Sequence, residues 1–93
     1  MAVLLVAYDV SDDDKRLRLA RALIRLGYSR IQRSVYVHPR AYRGLKRRTL
    51  EVAARLIDPR SDRVLVITMP ESVYEGAVTL GAPPLGGEGY ATL

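Results

Sequence analysis

Asp9 is the first residue of this chain with a chemical role to explain. It ends the apolar run VLLVAY, residues 3–8, and three more aspartates, Asp12, Asp13 and Asp14, follow before the chain turns basic. A carboxylate at that place has two readings. It can cap the helix behind it by accepting backbone N–H bonds. It can also ligate a hard, oxygen-seeking cation such as magnesium, for which one or two carboxylates plus water suffice. Asp12, Asp13 and Asp14 read as first-turn charges that complement the helix dipole. One carboxylate per chain is thin for metal-assisted hydrolysis. A two-fold homodimer doubles it: two copies of Asp9 near the axis would hold one divalent ion, polarise a phosphoryl oxygen and activate a water.

No other constellation competes. His38 is the one histidine, and it sits beside Pro39 in an expected surface loop. The GGEG run at 86–89 has neither a lysine nor a helix after it, so it is not a phosphate loop. Ser11 and Ser34 have no base at a useful spacing. The absence of cysteine removes disulfides and thiolate metal sites.

Lys and Arg number 15 against 10 Asp and Glu, a formal net charge of +5, and thirteen of the fifteen cations are arginine. A basic balance suits a polyanion, and the guanidinium fork grips phosphate with two hydrogen bonds. Arg16 and Arg18 follow Asp9 closely. Arg30 and Arg33 lie in the central strand region. Arg40, Arg43, Lys46, Arg47 and Arg48 make half of the second helix basic. Arg16, Arg18, Arg21, Arg30, Arg33 and Arg47 are the expected nucleic-acid contacts, because cations hold the phosphates of a phosphodiester while a metal meets the reacting oxygen. Tyr8, Tyr28, Tyr36 and Tyr42 read first as packing residues and second as stacking platforms for bases.

The elements that must carry these residues follow from pattern. Residues 3–8 read as a buried strand. Ser11 is placed to cap a helix over about 12–26, whose stripe is Leu19, Leu23 and Leu26, widened by Leu17, Ala20 and Ile24. Gly27 ends it as a C-terminal glycine does. Residues 28–38 give two short strands in a hairpin, or one strand broken near 32–34. Pro39 is expected to open a second helix over 40–57, weakened at Gly44 and stopped at Asp58-Pro59. RVLVITM, residues 63–69, is the strongest strand. Residues 77–80 read as one more short strand, completing a single domain over 1–80, and 81–93 as a Gly/Pro-rich tail.

This order predicts an α+β fold, a ferredoxin-like βαββαβ sandwich with two helices on one face of an antiparallel sheet. Both strands at 3–6 and 64–67 are apolar on both sides, so a face-to-face homodimer is expected to cover the second face. The run MAVLLVAY is too short for a signal peptide, and no segment approaches the roughly 20 apolar residues of a membrane span. A cytoplasmic protein with no membrane partner is expected.

The strand ending in Tyr8-Asp9, the basic helix, Gly27, and then R-x-Q-x-S-V-aromatic (Arg30, Gln32, Ser34, Val35, Tyr36) together resemble the Cas2 family of CRISPR-associated proteins, over about residues 3–69. The usual aromatic after S-V is phenylalanine; here it is Tyr36. The resemblance implies a ferredoxin-like homodimer that binds nucleic acid and works with the Cas1 integrase in spacer acquisition. It implies a metal-dependent endonuclease acting on RNA or double-stranded DNA, with Asp9 as the magnesium ligand and Tyr8, Arg16, Arg18, Arg30 and Tyr36 as further catalytic positions. A toxin-like ribonuclease of the related VapD type and a non-catalytic adaptor dimer are the alternatives.

Overall fold

The computed structural model describes residues 1–82. The stretch 83–93, most of the expected tail, lies outside the described residues. The elements run β1 (Ala2–Asp9), α1 (Asp13–Arg25), β2 (Ser29–Gln32), β3 (Val35–Ala41), α2 (Leu45–Leu56), β4 (Arg63–Pro70) and a short α3 (Glu71–Glu75). The four strands form one antiparallel sheet in the order β2-β3-β1-β4. This is the expected α+β arrangement.

Strand alternation divides β1 between two environments. Leu4, Val6 and Tyr8 join Leu19 and Leu23 of α1, Leu45 and Ala53 of α2, and Tyr36 of β3 in the core. Leu19, Leu23 and Leu45 are completely buried, and each contributes about 1.5–3 kcal/mol by leaving water. The stripe is narrower than its sequence suggests: Leu17 and Ile24 are exposed. Leu45, Thr49 and Ala53, at spacings of four, are the buried line of α2.

Three boundaries differ from the sequence reading. Asp12, not Ser11, caps α1, and its carboxylate accepts the Lys15 N–H at 2.9 Å. Asp13 and Asp14 fill the first turn as expected. Pro39 does not open a helix; it lies inside β3, where the pairing with β1 shifts register between Leu4 and Ala2. Proline needs no ladder partner at such an irregularity. Gly44 is therefore not inside α2 but at its N-cap, with φ of 89°, a left-handed conformation that suits glycine. The 28–38 region is the hairpin, β2 with β3.

The opposite face of the sheet is half covered. Near the Ala2–Pro70 end, Leu5, Ile31 and Met69 share a pocket of about 260 Å³ with Val73 and Tyr74 of α3 and with Ala77 and Thr79. Of the expected strand at 77–80, Thr79 alone forms a bridge. Toward the Asp9–Arg63 end, Leu65 and Ile67 remain 52% and 41% exposed.

Candidate functional site

The residues singled out in sequence separate into three places. The largest group sits at the helix-covered side of the sheet. Tyr8, Arg16, Arg30, Arg33 and Tyr36 line a cleft of about 180 Å³ with Asp13, Leu17 and Ala20. β1 and β3 bring the two tyrosines together because Val6 pairs with Tyr36, one pleat from Tyr8. Their rings stack at 5.8 Å between centroids and 22° between planes. Burial pushes the Tyr8 hydroxyl well above the ordinary tyrosine value; the Tyr36 hydroxyl beside it adds to the shift, and Arg30 and Arg16 oppose it. Tyr8 therefore keeps its proton at neutral pH and acts as a hydrogen-bond donor, not as a base.

Arg16 is already engaged in this cleft. Its Nη1 donates to the Val10 carbonyl at 2.9 Å, and its Nη2 pairs with Asp13. It thus ties the backbone just past Asp9 to the first turn of α1. The Tyr8 N–H donates to the Ser34 carbonyl at 3.1 Å, which anchors the same strand end on its other side. Arg30 donates through Nε to the Gln32 carbonyl at 3.4 Å.

The second place is the groove between α1 and α2. Arg18, Arg21, Arg25 and Arg55 surround an apolar floor of Ala22, Val52 and Leu56, enclosing about 340 Å³. Arg18 pairs with Asp14 at 3.0 Å, and both are exposed. On the outer side of α2, Arg43, Arg47, Arg48 and Arg55 line a further depression, with Arg47 paired to Glu51 at 3.5 Å. Arg18 therefore lies away from the tyrosine cleft, with Arg21.

Asp9 is the third place and stands apart from both. It follows Tyr8 directly in an extended strand, so it points to the other face of the sheet. It is exposed and pairs in register with Arg63, while Ala7 pairs with Leu65 and Leu5 with Ile67. A depression of about 230 Å³ is lined by Ala7, Tyr8, Asp9, Arg63 and Leu65. The Asp9 carboxylate forms no hydrogen bond or ion pair among the described residues, so it does not serve as a helix cap. It is free to ligate a cation. Among the described residues no cluster of three or more metal-ligating side chains exists, so one chain alone brings this one carboxylate. The donor set fits magnesium only when a second carboxylate joins it.

Two residues of this third place escaped the sequence reading. Asp62 clamps the neighbouring loops: its Oδ1 accepts the Ser11 N–H at 3.1 Å and its Oδ2 accepts the Asp58 N–H at 2.8 Å. These bonds hold its carboxyl below the usual range, the Asp58 N–H contributing most. Arg63, the next residue, faces Asp9. The only sequence signal available was the alternation of β4, which puts Arg63 on the face of Leu65 and Ile67.

His38 is structural. Its ring packs edge-on against Tyr28 and Tyr42, at 5.5 and 5.9 Å. Its Nδ1 accepts the Arg40 N–H at 3.3 Å, and burial lowers its pKa. A Cβ at Gly27 would come within 2.8 Å of its Nε2, so glycine is required there by contact as well as by its φ of 99°. Among the described residues no helix is long and apolar enough to cross a membrane.

Known proteins share this design. The family model described as CRISPR associated protein Cas2 matches residues 1–76. A protein of Aeropyrum pernix named CRISPR-associated endoribonuclease Cas2 is 36% identical over 87% of each chain. One of Thermofilum pendens with the same name is 40% identical over 81% of this chain and 78% of its own. The crystal structure of a hypothetical protein from Thermus thermophilus superposes with a TM-score of 0.74 at 30% identity, covering 91% of this chain and 96% of that one. With the family model spanning most of the chain and relatives of this identity across nearly its whole length, the chain belongs to the CRISPR-associated Cas2 family.

Proposed function

We propose that this protein is a homodimeric endonuclease of CRISPR spacer acquisition, acting beside the Cas1 integrase, whose catalytic centre is the pair of Asp9 carboxylates supplied by two copies of the chain. The observation that carries this reading is the position of Asp9: exposed, unpaired, and at the border of an uncovered apolar strip of Ala7, Leu65 and Ile67. A second copy seated on that strip would bring two such carboxylates together across a two-fold axis. A magnesium ion bound there would polarise the scissile phosphoryl oxygen and supply a water of lowered pKa. The relatives' name, endoribonuclease, supports RNA as the first substrate to test, with double-stranded DNA second.

The tyrosine cleft then serves the site through the backbone. Tyr8 and Tyr36 stack, Ser34 anchors the Tyr8 N–H, and Arg16 holds the Val10 carbonyl, so the residues on either side of Asp9 are fixed. Tyr8, Tyr36 and Arg16 are positioning residues in this reading. Arg30 and Arg33 face solvent in the cleft and are placed to meet phosphates.

The test is cleavage of a labelled RNA with and without magnesium, by wild type and Asp9→Asn, with oligomeric state followed by sedimentation. The reading expects metal-dependent cleavage by the wild-type dimer and none by an equally dimeric variant. Metal-independent cleavage, or cleavage surviving Asp9→Asn, rejects it. A non-catalytic adaptor role has its own support in the arginine-lined surfaces of α1 and α2, which do not involve Asp9. Loss of nucleic-acid binding in Arg18→Ala, Arg21→Ala and Arg47→Ala, with no cleavage by wild type, would favour it.

A further inference from the structure

We propose that Arg63 holds the substrate phosphate at the Asp9 site, an inference that rests on the reading of Asp9 as the catalytic carboxylate. The argument begins with charge. Two carboxylates and one divalent cation are together neutral, so the centre by itself exerts no net attraction on an anionic phosphodiester. A guanidinium on the same face must supply it. The arginines that follow Asp9 in sequence do not. Arg16 lies across the sheet and is committed to the Val10 carbonyl and Asp13. Arg18 lies in the groove between the helices, paired with Asp14. Arg30 and Arg33 line the tyrosine cleft on the other face.

Arg63 meets the requirement. It is the register partner of Asp9 in the β1–β4 ladder and lines the same depression of about 230 Å³. Directly opposed residues of antiparallel strands have Cβ atoms only about 4.5–5.5 Å apart, which normally invites an ion pair between opposite charges. Here the guanidinium is exposed and forms no ion pair among the described residues, leaving its donors available. The position of Arg63 is also held. Asp62 accepts N–H bonds from both Ser11 and Asp58, so the start of β4 is fastened to the loop that follows Asp9. In a two-fold dimer the pair of Asp9 carboxylates would be accompanied by a pair of Arg63 guanidinium groups, so that a phosphodiester lying across the axis meets a cation on either side.

The experiment compares wild type, Arg63→Ala, Arg63→Lys and Asp9→Asn by two readouts. One is magnesium-dependent cleavage of a single-stranded RNA oligonucleotide, resolved into KM and kcat. The other is anisotropy of the same RNA in EDTA over a salt series, which needs no metal. Arg63→Ala is expected to raise KM about tenfold, the loss of one charge-assisted contact. It should also lower the slope of log affinity against log salt by about 0.7 per phosphate contact removed. Arg63→Lys should restore the salt slope, because it restores the charge, and recover KM in part. Asp9→Asn should bind RNA at least as well as wild type in EDTA while failing to cleave. A wild-type salt slope in Arg63→Ala with an unchanged thermal midpoint overturns the proposal, whatever Asp9→Asn does. A lowered thermal midpoint with that slope assigns Arg63 a purely structural partnership with Asp9 and overturns it equally. Cleavage surviving Asp9→Asn rejects the underlying reading instead, and the EDTA series still decides whether Arg63 holds phosphate.

Discussion

The two faces of the sheet are built from the same strands and differ in what they leave open. Against α1 and α2, Leu4, Val6, Tyr8 and Tyr36 are buried with Leu19, Leu23 and Leu45. The polar groups there are satisfied as well: the Thr49 hydroxyl donates to the Leu45 carbonyl at 2.8 Å and meets the Tyr28 hydroxyl at 2.7 Å. On the other face, at the Asp9 end, Leu65 and Ile67 stay exposed beside a carboxylate and a guanidinium that do not pair. One face is completed by the chain itself. The other is completed by something the chain does not contain, and unsatisfied groups gather there because a bound partner or ligand will satisfy them.

The contrast yields a graded series of effects. Leu19→Ala should cost about 2–5 kcal/mol in denaturant unfolding, since the cavity opens in the closed face; a loss below 1 kcal/mol would mean that face is less tightly packed than it looks. Ile67→Asp should leave the far-UV spectrum native yet weaken self-association about a hundredfold, or roughly 3 kcal/mol, by placing a charge in the covered strip. Sedimentation showing an unchanged dimer would move the interface elsewhere. Thr49→Val should cost about 1–3 kcal/mol, because the Tyr28 hydroxyl is left buried without its partner. Adding Tyr28→Phe should recover much of that loss in the same unfolding assay.

The smaller effects concern the loops and the helix surface. Asp58 and Asp62 carboxyls are held below their ordinary range, Asp58 mainly by the Arg60 side chain and Asp62 mainly by the Asp58 N–H. A depressed folded value means that the stabilisation is complete above the unfolded carboxylate pKa, near 4, and is lost as pH falls through the folded values. Asp62→Asn should therefore flatten the fall in Tm below about pH 4. An unaltered acid limb would show that the clamp does not form in solution. Arg47→Ala should change stability by no more than about 0.5 kcal/mol, because its pair with Glu51 is fully solvated; its signature should be weaker binding to a polyanion.

Much of this was legible in the sequence. β1, α1 and β4 follow from apolar runs and a 3.6-residue stripe, which local residues specify by themselves. The start of α2 was not, because Pro39 reads equally as a helix opener and as a strand residue at a register shift, and only the pairing with β1 decides. α3, with five residues, is too short to show a period. Asp9 stood out by its position after Tyr8. The sequence grouped it with Tyr8, Arg16 and Tyr36, whereas strand alternation sends neighbours to opposite faces. The role of Asp62 depends on Ser11, 51 positions away, and leaves no local trace.

The adjacency of Tyr8 and Asp9 has a consequence for how the gene can change. Each residue of β1 is assigned to core or site by nothing more than whether its position is even or odd. A substitution alters one side chain and leaves that parity intact. A single codon gained or lost between Val3 and Tyr8 would invert it, turning a carboxylate inward and a tyrosine outward. β1 should therefore accept many point changes while rejecting almost every insertion or deletion.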